Sequence, residues 1–173
     1  NGPENISDAQ VLDCVRIINE DFNARNADLS EVVPSFQNII GDADIEFRLA
    51  RLDPNGVPTN GIDRIQSPET NVGDDGSKLN GWPRDRYINI WVCNQINGAP
   101  GAAAYAYLPS GAHSFPSRDG IISNHRYVGS IGTSSVSGMH TISHELGHVL
   151  NLRHPWGPTN EPGLSSNCNF DDG

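Results

Sequence analysis

The stretch HELGHVLNLRH, residues 144–154, constrains the fold more than any other part of this chain. On a helix, His144 and His148 lie one turn apart on the same face, with Cβ atoms about 5–6 Å apart. Two imidazoles in this arrangement can bind one zinc ion at about 2.0–2.1 Å. Glu145 projects beside such a metal, where a carboxylate can act as general base on a zinc-activated water.

A third ligand requires the helix to end soon after His148. His154 lies six residues further on, and it can reach the same metal only if the chain turns back. Such a turn needs a residue that tolerates left-handed backbone angles, and after glycine the best suited is asparagine. Because Asn151 stands there, we predict a zinc site formed by His144, His148 and His154.

The other histidines are predicted to lie outside this site. His140 is eight residues from His148, which is about 12 Å along a helix and too far to share one ion. We interpret it as a residue that begins the helix or supports a ligand. His113 and His125 are interpreted as loop or strand residues without a role.

Two alternative interpretations of the motif are weaker. Ordinary surface histidines on an amphipathic helix would explain His144 and His148, but not the neighbouring Glu145 or the third histidine. A structural zinc site usually has four protein ligands, whereas the motif offers three. The pattern therefore favours a catalytic zinc site.

The overall charge narrows the class of partner. The 173 residues carry 11 basic and 21 acidic side chains, which gives a net charge of −10 at pH 7. We therefore expect no binding to nucleic acid or to anionic membranes. No stretch approaches the roughly 20 apolar residues that a membrane-spanning helix requires. The length fits one domain, or one domain in two lobes.

The hydrophobic pattern predicts a mixture of helices and strands. Ser7 and Gln10 form a capping box at the start of a first helix, whose apolar positions 11, 15, 18 and 22 lie on one stripe. The segment 86–93 is apolar on both faces, which indicates a central strand that is covered on both sides. The order of elements indicates an α/β or α+β layer structure with the last helix behind the sheet. The other predicted elements are a short helix at 30–40, strands at 45–49, 102–108 and 120–128, turns at 52–62, loops at 66–84 and 129–138, and the helix at 139–151.

Four segments resemble one known family, and they occur in that family's order. They are NISDAQVLDCVRIINEDF, ADIEFRLARLDPNGVPTNGI, DRYINIWVCN and HELGHVLNLRHPWG, and together they cover most of residues 4–157. On these segments the chain resembles a metzincin of the pappalysin family. The resemblance implies a secreted zinc endopeptidase that cleaves proteins or peptides, with His144, His148 and His154 as zinc ligands and Glu145 as general base and acid.

The resemblance also implies a zincin fold of the α/β (α+β) class. Residues 1–151 would form an upper lobe with a twisted, mostly parallel five-stranded sheet, a backing helix and the active-site helix. Residues 152–173 would begin a smaller lower lobe, which in the family carries a Met-turn beneath the zinc. The only methionine, Met139, precedes the active-site helix. The chain is therefore expected to stop before the Met-turn, and its own cleaved C-terminal fragment is a candidate partner.

In metzincins an edge strand of the upper lobe binds the substrate main chain in the antiparallel direction. By position this strand is the segment 102–108. Added strands gain sequence-independent hydrogen bonds from a sheet edge, and the small side chains here would let a backbone approach. The substrate-binding residues implied are Ala102, Ala103, Ala104 and Tyr105.

Three cysteines leave the disulfide pattern open. Cys14 and Cys93 either bridge the first helix to the strand 86–93 or remain as buried thiols. The resemblance implies that Cys168 pairs with a cysteine of the lower lobe. It also implies a calcium site to which Asp171 and Asp172 would contribute, and the alternative is a solvated acidic terminus.

The function predicted from the sequence is that of a secreted zinc metalloendopeptidase. The alternative is a zinc-stabilised, non-catalytic peptide-binding module or an inactive fragment. Hydrolysis of a bound peptide separates the two, because a binding module would hold the peptide without cleaving it.

Overall fold

The computed structural model describes residues 2–154 of the chain. Within this part, the helices are α1 Asp8–Phe22, α2 Pro34–Gln37, α3 Pro109–Ser114 and α4 Thr141–Val149. The strands are β1 Ile90–Cys93, β2 Ala104–Tyr105 and β3 Ile121–Asn124. Short 3-10 turns lie at Ala27–Glu31, Pro68–Asn71, Asp75–Ser77, Pro116–Arg118, His125–Tyr127 and Val136–Gly138. The predictions for Cys168, Asp171, Asp172 and the lower lobe lie outside the described residues.

Helix α1 begins where the sequence predicts, but only half of the capping box forms. The Ser7 hydroxyl oxygen accepts a hydrogen bond from the Gln10 backbone N–H at 3.2 Å. The Gln10 side chain does not return to the helix start. It is 1% exposed and donates to the backbone carbonyls of His125 and Val128 at 3.1 and 3.0 Å. Gln10 therefore joins α1 to the chain that follows β3.

The buried face of α1 is rotated from the predicted stripe. Of the four stripe positions only Ile18 is fully buried, while 11, 15 and 22 are half-buried. Cys14 is buried as predicted, and Ile17, which lies outside the predicted stripe, is buried as well. A search for apolar residues misses this face because it begins at the polar Gln10, four residues before Cys14.

The later helices lie near their predicted positions. In place of a helix at 30–40 there is a 3-10 turn followed by α2, and Pro34 begins α2, where its missing N–H leaves no helical bond unmade. Helix α4 lies inside the predicted 139–151. It packs on α1, β2 and β3, behind the sheet as predicted. None of the helices within residues 2–154 is both long and apolar enough to span a membrane.

The sheet in the described residues has three strands in the order β1-β3-β2, which is fewer than the five that the resemblance implied. Strands β1 and β3 are parallel, and β2 is antiparallel to β3. The central strand is β3, whose four residues are all buried. Strand β1 lies at an edge, and Ile90 is 39% exposed, so the prediction of a central strand at 86–93 is wrong.

Asparagine side chains pair with the backbone at two places, in the predicted strand segment 45–49 and at Trp82 in the predicted loop 66–84. The segment 45–49 alternates between half-buried and exposed residues as predicted, but it belongs to no sheet. The Asn19 side chain accepts from the Phe47 N–H and donates to the Phe47 carbonyl, at 2.8 and 2.9 Å. The Asn89 amide pairs in the same way with the backbone of Trp82, at 2.8 Å for each bond. A primary amide offers the same donor and acceptor as a peptide group, so it satisfies this backbone without a neighbouring strand.

The sheet separates two apolar clusters because successive residues of β3 point to opposite faces. Ile121 packs with α1 and α4 in one cluster, which includes Ile142 and Leu146. Ile122 packs with Cys93 and Ile96 in the other. Helix α4 is thus anchored in the same core as α1.

Cys14 and Cys93 are free, buried thiols that belong to different clusters. Of the two alternatives left by the sequence, the disulfide between them is not formed. Burial raises the pKa of Cys14 to about 12 and that of Cys93 to about 11, because an apolar environment disfavours the thiolate.

Candidate metal centre

The end of α4 turns the chain back toward its own first turn. Asn151 has a φ of 72°, the left-handed conformation that the sequence predicts. The Leu152 N–H donates to the Gly147 carbonyl at 2.8 Å, and the Asn151 N–H donates to the His148 carbonyl at 2.9 Å. This pair of bonds is a Schellman motif, which ends helices at a left-handed residue. The chain after Asn151 therefore runs back along the helix.

The turn brings three histidines together. The Nε2 atom of His154 lies 3.0 Å from Nε2 of His144 and 3.1 Å from Nε2 of His148. One ligand atom from each of the three lies within 4.8 Å of the others. Within residues 2–154 this is the only group of three or more histidine, cysteine, aspartate or glutamate side chains close enough to hold one metal ion.

The backbone fixes the tautomer of His148. Its Nδ1 lies 2.8 Å from the Leu152 carbonyl oxygen, which can only accept a hydrogen bond. Nδ1 therefore carries the proton, and Nε2 presents its lone pair toward His154. Metal-binding histidines are commonly oriented by such a bond from the ring nitrogen that does not bind the metal.

The surroundings favour the neutral form of two of these histidines. Partial burial lowers the pKa of His144, and His148 and His154 lower it further. Burial and His148 lower the pKa of His154 in the same direction. Only a neutral imidazole can bind a metal. The donor set, three imidazole nitrogens without a fourth protein ligand in the described residues, fits zinc of the kind that keeps one position open.

Glu145 follows His144 in α4 and is 6% exposed. Burial raises its pKa, while the nearby His148 imidazole and the Ala106 backbone N–H oppose the rise. Its Oε2 atom is buried and has no hydrogen-bond partner among the described residues. A buried carboxylate oxygen without a partner is rare, and here it leaves one oxygen ready to take a proton.

The sequence did not identify Ala106, which links β2 to Glu145. Of the predicted substrate-binding residues, Ala104 and Tyr105 form β2 at an edge of the sheet. The Ala103 carbonyl accepts from the Asn124 N–H at 2.8 Å and so points toward β3. Ala102 packs in the cluster of Ile122 and is partly buried.

His140 begins α4, as the sequence predicts for a residue outside the site. Its Nδ1 lies 2.9 Å from an Asp21 carboxylate oxygen, and its Nε2 lies 3.4 Å from Asp28. The Ser143 hydroxyl also donates to Asp21. This contact joins α1 to the start of α4 across more than 100 residues of sequence, so sequence spacing could not predict it.

The remaining histidines lie elsewhere. His113 is in α3 and exposed, and His125 follows β3 and is 4% exposed. Neither belongs to the group formed by the three predicted ligands.

A family model described as pregnancy-associated plasma protein-A, of peptidase family M43, matches residues 71–172. The matched span includes the three histidines and Glu145. Comparison with curated proteins gave no match.

Solved structures of mirolysin are similar to the chain over most of its length. Mirolysin in complex with compound 9 is 36% identical with a TM-score of 0.82, covering 99% of this chain and 66% of that one. Tannerella forsythia mature mirolysin in complex with a cleaved peptide is 36% identical with a TM-score of 0.78, at 96% and 63% coverage. A Tannerella forsythia promirolysin mutant is 36% identical with a TM-score of 0.76, at 91% and 53% coverage. The likeness confirms the predicted fold class, and the chain spans less than two thirds of the length of each of these proteins.

Proposed function

The chain belongs to peptidase family M43, the pappalysins, and we propose that it is a zinc-dependent endopeptidase that hydrolyses peptide bonds in proteins. The observation that carries the proposal is the convergence of three imidazole nitrogens beside a buried carboxylate with one unpartnered oxygen. A site that only held a metal for stability would not require such a carboxylate. In this proposal His144, His148 and His154 hold zinc, and Glu145 is the catalytic residue.

The proposed roles of zinc, Glu145 and His148 follow from the surroundings of each side chain. Bound zinc supplies Lewis acidity that polarises the scissile carbonyl and makes water more acidic. Glu145 takes the water proton on the oxygen that has no partner and passes it to the leaving amine. The nearby backbone N–H of Ala106 lowers the pKa of this carboxyl group and favours one orientation of the carboxylate during the transfer. His148 is held by the Leu152 carbonyl, so the ligand geometry does not have to form anew for each substrate.

The outer edge of β2 is the proposed place for the substrate main chain. In an antiparallel pair, successive residues direct their backbone groups to alternate sides. Because the Ala103 carbonyl points toward β3, the backbone of Ala104 points away from it. Within the predicted set of Ala102, Ala103, Ala104 and Tyr105, this assigns main-chain hydrogen bonding chiefly to Ala104. The cleaved peptide named in the mirolysin complex supports peptides as the class of substrate.

The lobes and the location of the protein are also part of the proposal. Residues 1–151 form the upper lobe that carries Glu145 and two ligands, and residues 152–173 begin the lower lobe that adds His154. The resemblance to pappalysins supports secretion, which immunodetection in culture medium and cell fractions would test. Protein found wholly inside the cells would contradict secretion without affecting the proposed chemistry.

The test of the function combines zinc content with cleavage. We expect the purified protein to cleave casein or a quenched-fluorescence peptide, to lose cleavage on chelation, and to regain it with zinc. Glu145→Gln should keep zinc and lose cleavage, while His148→Ala should lose both. Peptide binding without turnover by the unmodified, zinc-loaded protein would contradict the proposal and indicate a binding module.

A further inference from the structure

Strand β2 lies between the active-site helix and a second polar group on its other face. It pairs with β3 through only two residues, Ala104 and Tyr105, which is short even for an edge strand. Ala106 packs against the cluster that contains α4, and Tyr105 packs against the opposite cluster. So short a ladder fixes the strand weakly, and contacts on its side chains must supply the rest.

Those contacts converge on one carboxylate, that of Asp75. The Tyr105 hydroxyl donates to Asp75 Oδ1 at 3.1 Å, and the Tyr107 hydroxyl donates to Asp75 Oδ2 at 2.9 Å. Alternate residues of a strand lie on one face, so both tyrosines point away from Ala106. Asp75 thus holds one face of β2, and Ala106 packs toward α4 on the opposite face.

Two cations complete the group. The Lys78 ammonium lies 3.3 Å from Asp75, and its side chain is 1% exposed. It also lies 5.2 and 5.1 Å from the ring centroids of Tyr105 and Tyr107. Lys78 contacts Asp75 Oδ1, and the Arg118 guanidinium lies 3.3 Å from Asp75 Oδ2. Burial alone would raise the pKa of Asp75, but the bonds from Tyr107 and Lys78 outweigh it and the pKa is lowered.

Asp75 itself stands on a fixed turn. It begins a 3-10 turn whose cap is Asp74, and the Asp74 side chain accepts from the Gly76 N–H at 2.8 Å. The Ser77 hydroxyl donates to the Glu69 carbonyl at 3.0 Å, and Ser77 is 5% exposed. Because these hydrogen bonds hold the turn in place, the Asp75 carboxylate is a fixed anchor for β2.

We propose that Asp75 is a positioning residue, which holds β2 through Tyr105 and Tyr107 so that Ala106 keeps its place against α4, the helix that carries Glu145. The inference rests on the proposed function for its consequence in catalysis. Asp75 touches no reacting atom and acts on Glu145 only through the strand. Loss of the two tyrosine bonds would let β2 shift and leave Glu145 misoriented.

The variants chosen for the test keep every charge in place. Asp75→Asn would leave Lys78 buried without its counterion, which can destabilise the whole protein. Tyr105→Phe/Tyr107→Phe keeps both rings and removes only the hydroxyls, and Tyr107→Phe alone is the milder form. Tyr87→Phe is the matched control, because its hydroxyl donates to the Leu52 carbonyl outside this group.

Kinetics give the first readout. We expect the double variant to keep zinc and to lose kcat by about 10-fold to 100-fold, since a misplacement on the order of 1 Å can cost ~100-fold. Tyr87→Phe should keep wild-type kcat. In a Glu145→Asp background the tyrosine changes should have little further effect. A rise in KM with unchanged kcat, or a loss that multiplies with that of Glu145→Asp, would overturn the proposal.

Amide hydrogen exchange gives a readout that needs no activity. We expect the Ala106 amide to exchange faster in the double variant, with exchange in β3 unchanged. Unchanged exchange at Ala106 would overturn the positioning role even in an active enzyme. If instead exchange quickened while the zinc-loaded wild type cleaved no peptide, the positioning would stand and the proposed function would fail.

Discussion

The Nδ1 atom of His148 lies 2.8 Å from the carbonyl oxygen of Leu152, four residues later. The turn that returns His154 to the site therefore also orients a histidine of the preceding helix. Two of the proposed ligands depend on one backbone conformation, that of Asn151. A change at this position should affect both the stability of the helix end and the binding of metal.

Substitutions at Asn151 should follow the demands of its left-handed backbone. At a φ of 72°, a residue with a side chain other than asparagine or aspartate costs roughly 1–2 kcal/mol. We expect Asn151→Ala to lower the free energy of unfolding by about 1 kcal/mol, measured by denaturant titration. It should also weaken zinc binding, measured by zinc titration. Asn151→Gly is the matched control and should retain both. Equal zinc affinity in Asn151→Ala and the wild type would contradict the coupling of turn and site.

Asp21 should stabilise the contact between α1 and α4. It accepts hydrogen bonds from Ser143 and His140 at the start of the active-site helix. Asp21→Ala leaves these groups without their partner, and we expect a loss of about 1–3 kcal/mol in the free energy of unfolding. Denaturant unfolding measures this directly.

Glu20→Ala on the same helix is the control for that experiment. Glu20 pairs with Arg16 on the surface, and exposed pairs of this kind contribute at most about 1 kcal/mol. A loss in Asp21→Ala no larger than that in Glu20→Ala would show that the contact is dispensable.

Cys14 and Cys93 should be inert to alkylation in the native protein. Their pKa values of about 12 and 11 exceed the ordinary value of 9.0, and only the thiolate reacts. We expect little labelling by iodoacetamide at mildly alkaline pH and full labelling in guanidinium, measured by peptide mass spectrometry. Native labelling of either residue at the unfolded rate would contradict their burial.

The raised pKa values of the two thiols also predict how the stability of the folded protein changes at high pH. The folded state raises the pKa of each thiol, so it binds the proton more tightly than the unfolded state does. The resulting stabilisation is complete below the unfolded pKa near 9 and is lost as the pH rises through about 11 and 12. Unfolding measured across this range should therefore show a falling stability that Cys14→Ser partly removes.

Local features of this chain could be read from its sequence. The i, i+4 spacing of His144 and His148, the cap at Ser7 and the left-handed preference of Asn151 each depend on a few neighbouring residues. These features appear in the structure as predicted. The alternation at 45–49 predicts a strand, and the segment alternates between half-buried and exposed residues as predicted but joins no sheet.

Long-range partners could not be read in this way. The segment 45–49 pairs with Asn19 of a helix and not with a strand, and its alternation is the same in either case. Gln10 and Asp75 are polar residues whose partners lie far away in the chain. Ala106 of a sheet edge lies close to Glu145 of a helix, and no periodic pattern specifies which backbone N–H lies near a given side chain.

The most direct measurement for the central claim is X-ray diffraction at the zinc absorption edge on crystals of the zinc-loaded protein. We expect one strong anomalous peak about 2.0–2.1 Å from the Nε2 atoms of His144, His148 and His154, with Glu145 beside it and not bound to it. Glu145→Gln should keep the peak, and His154→Ala should weaken or abolish it. A peak that does not involve His154, or zinc bound directly by Glu145, would contradict the account.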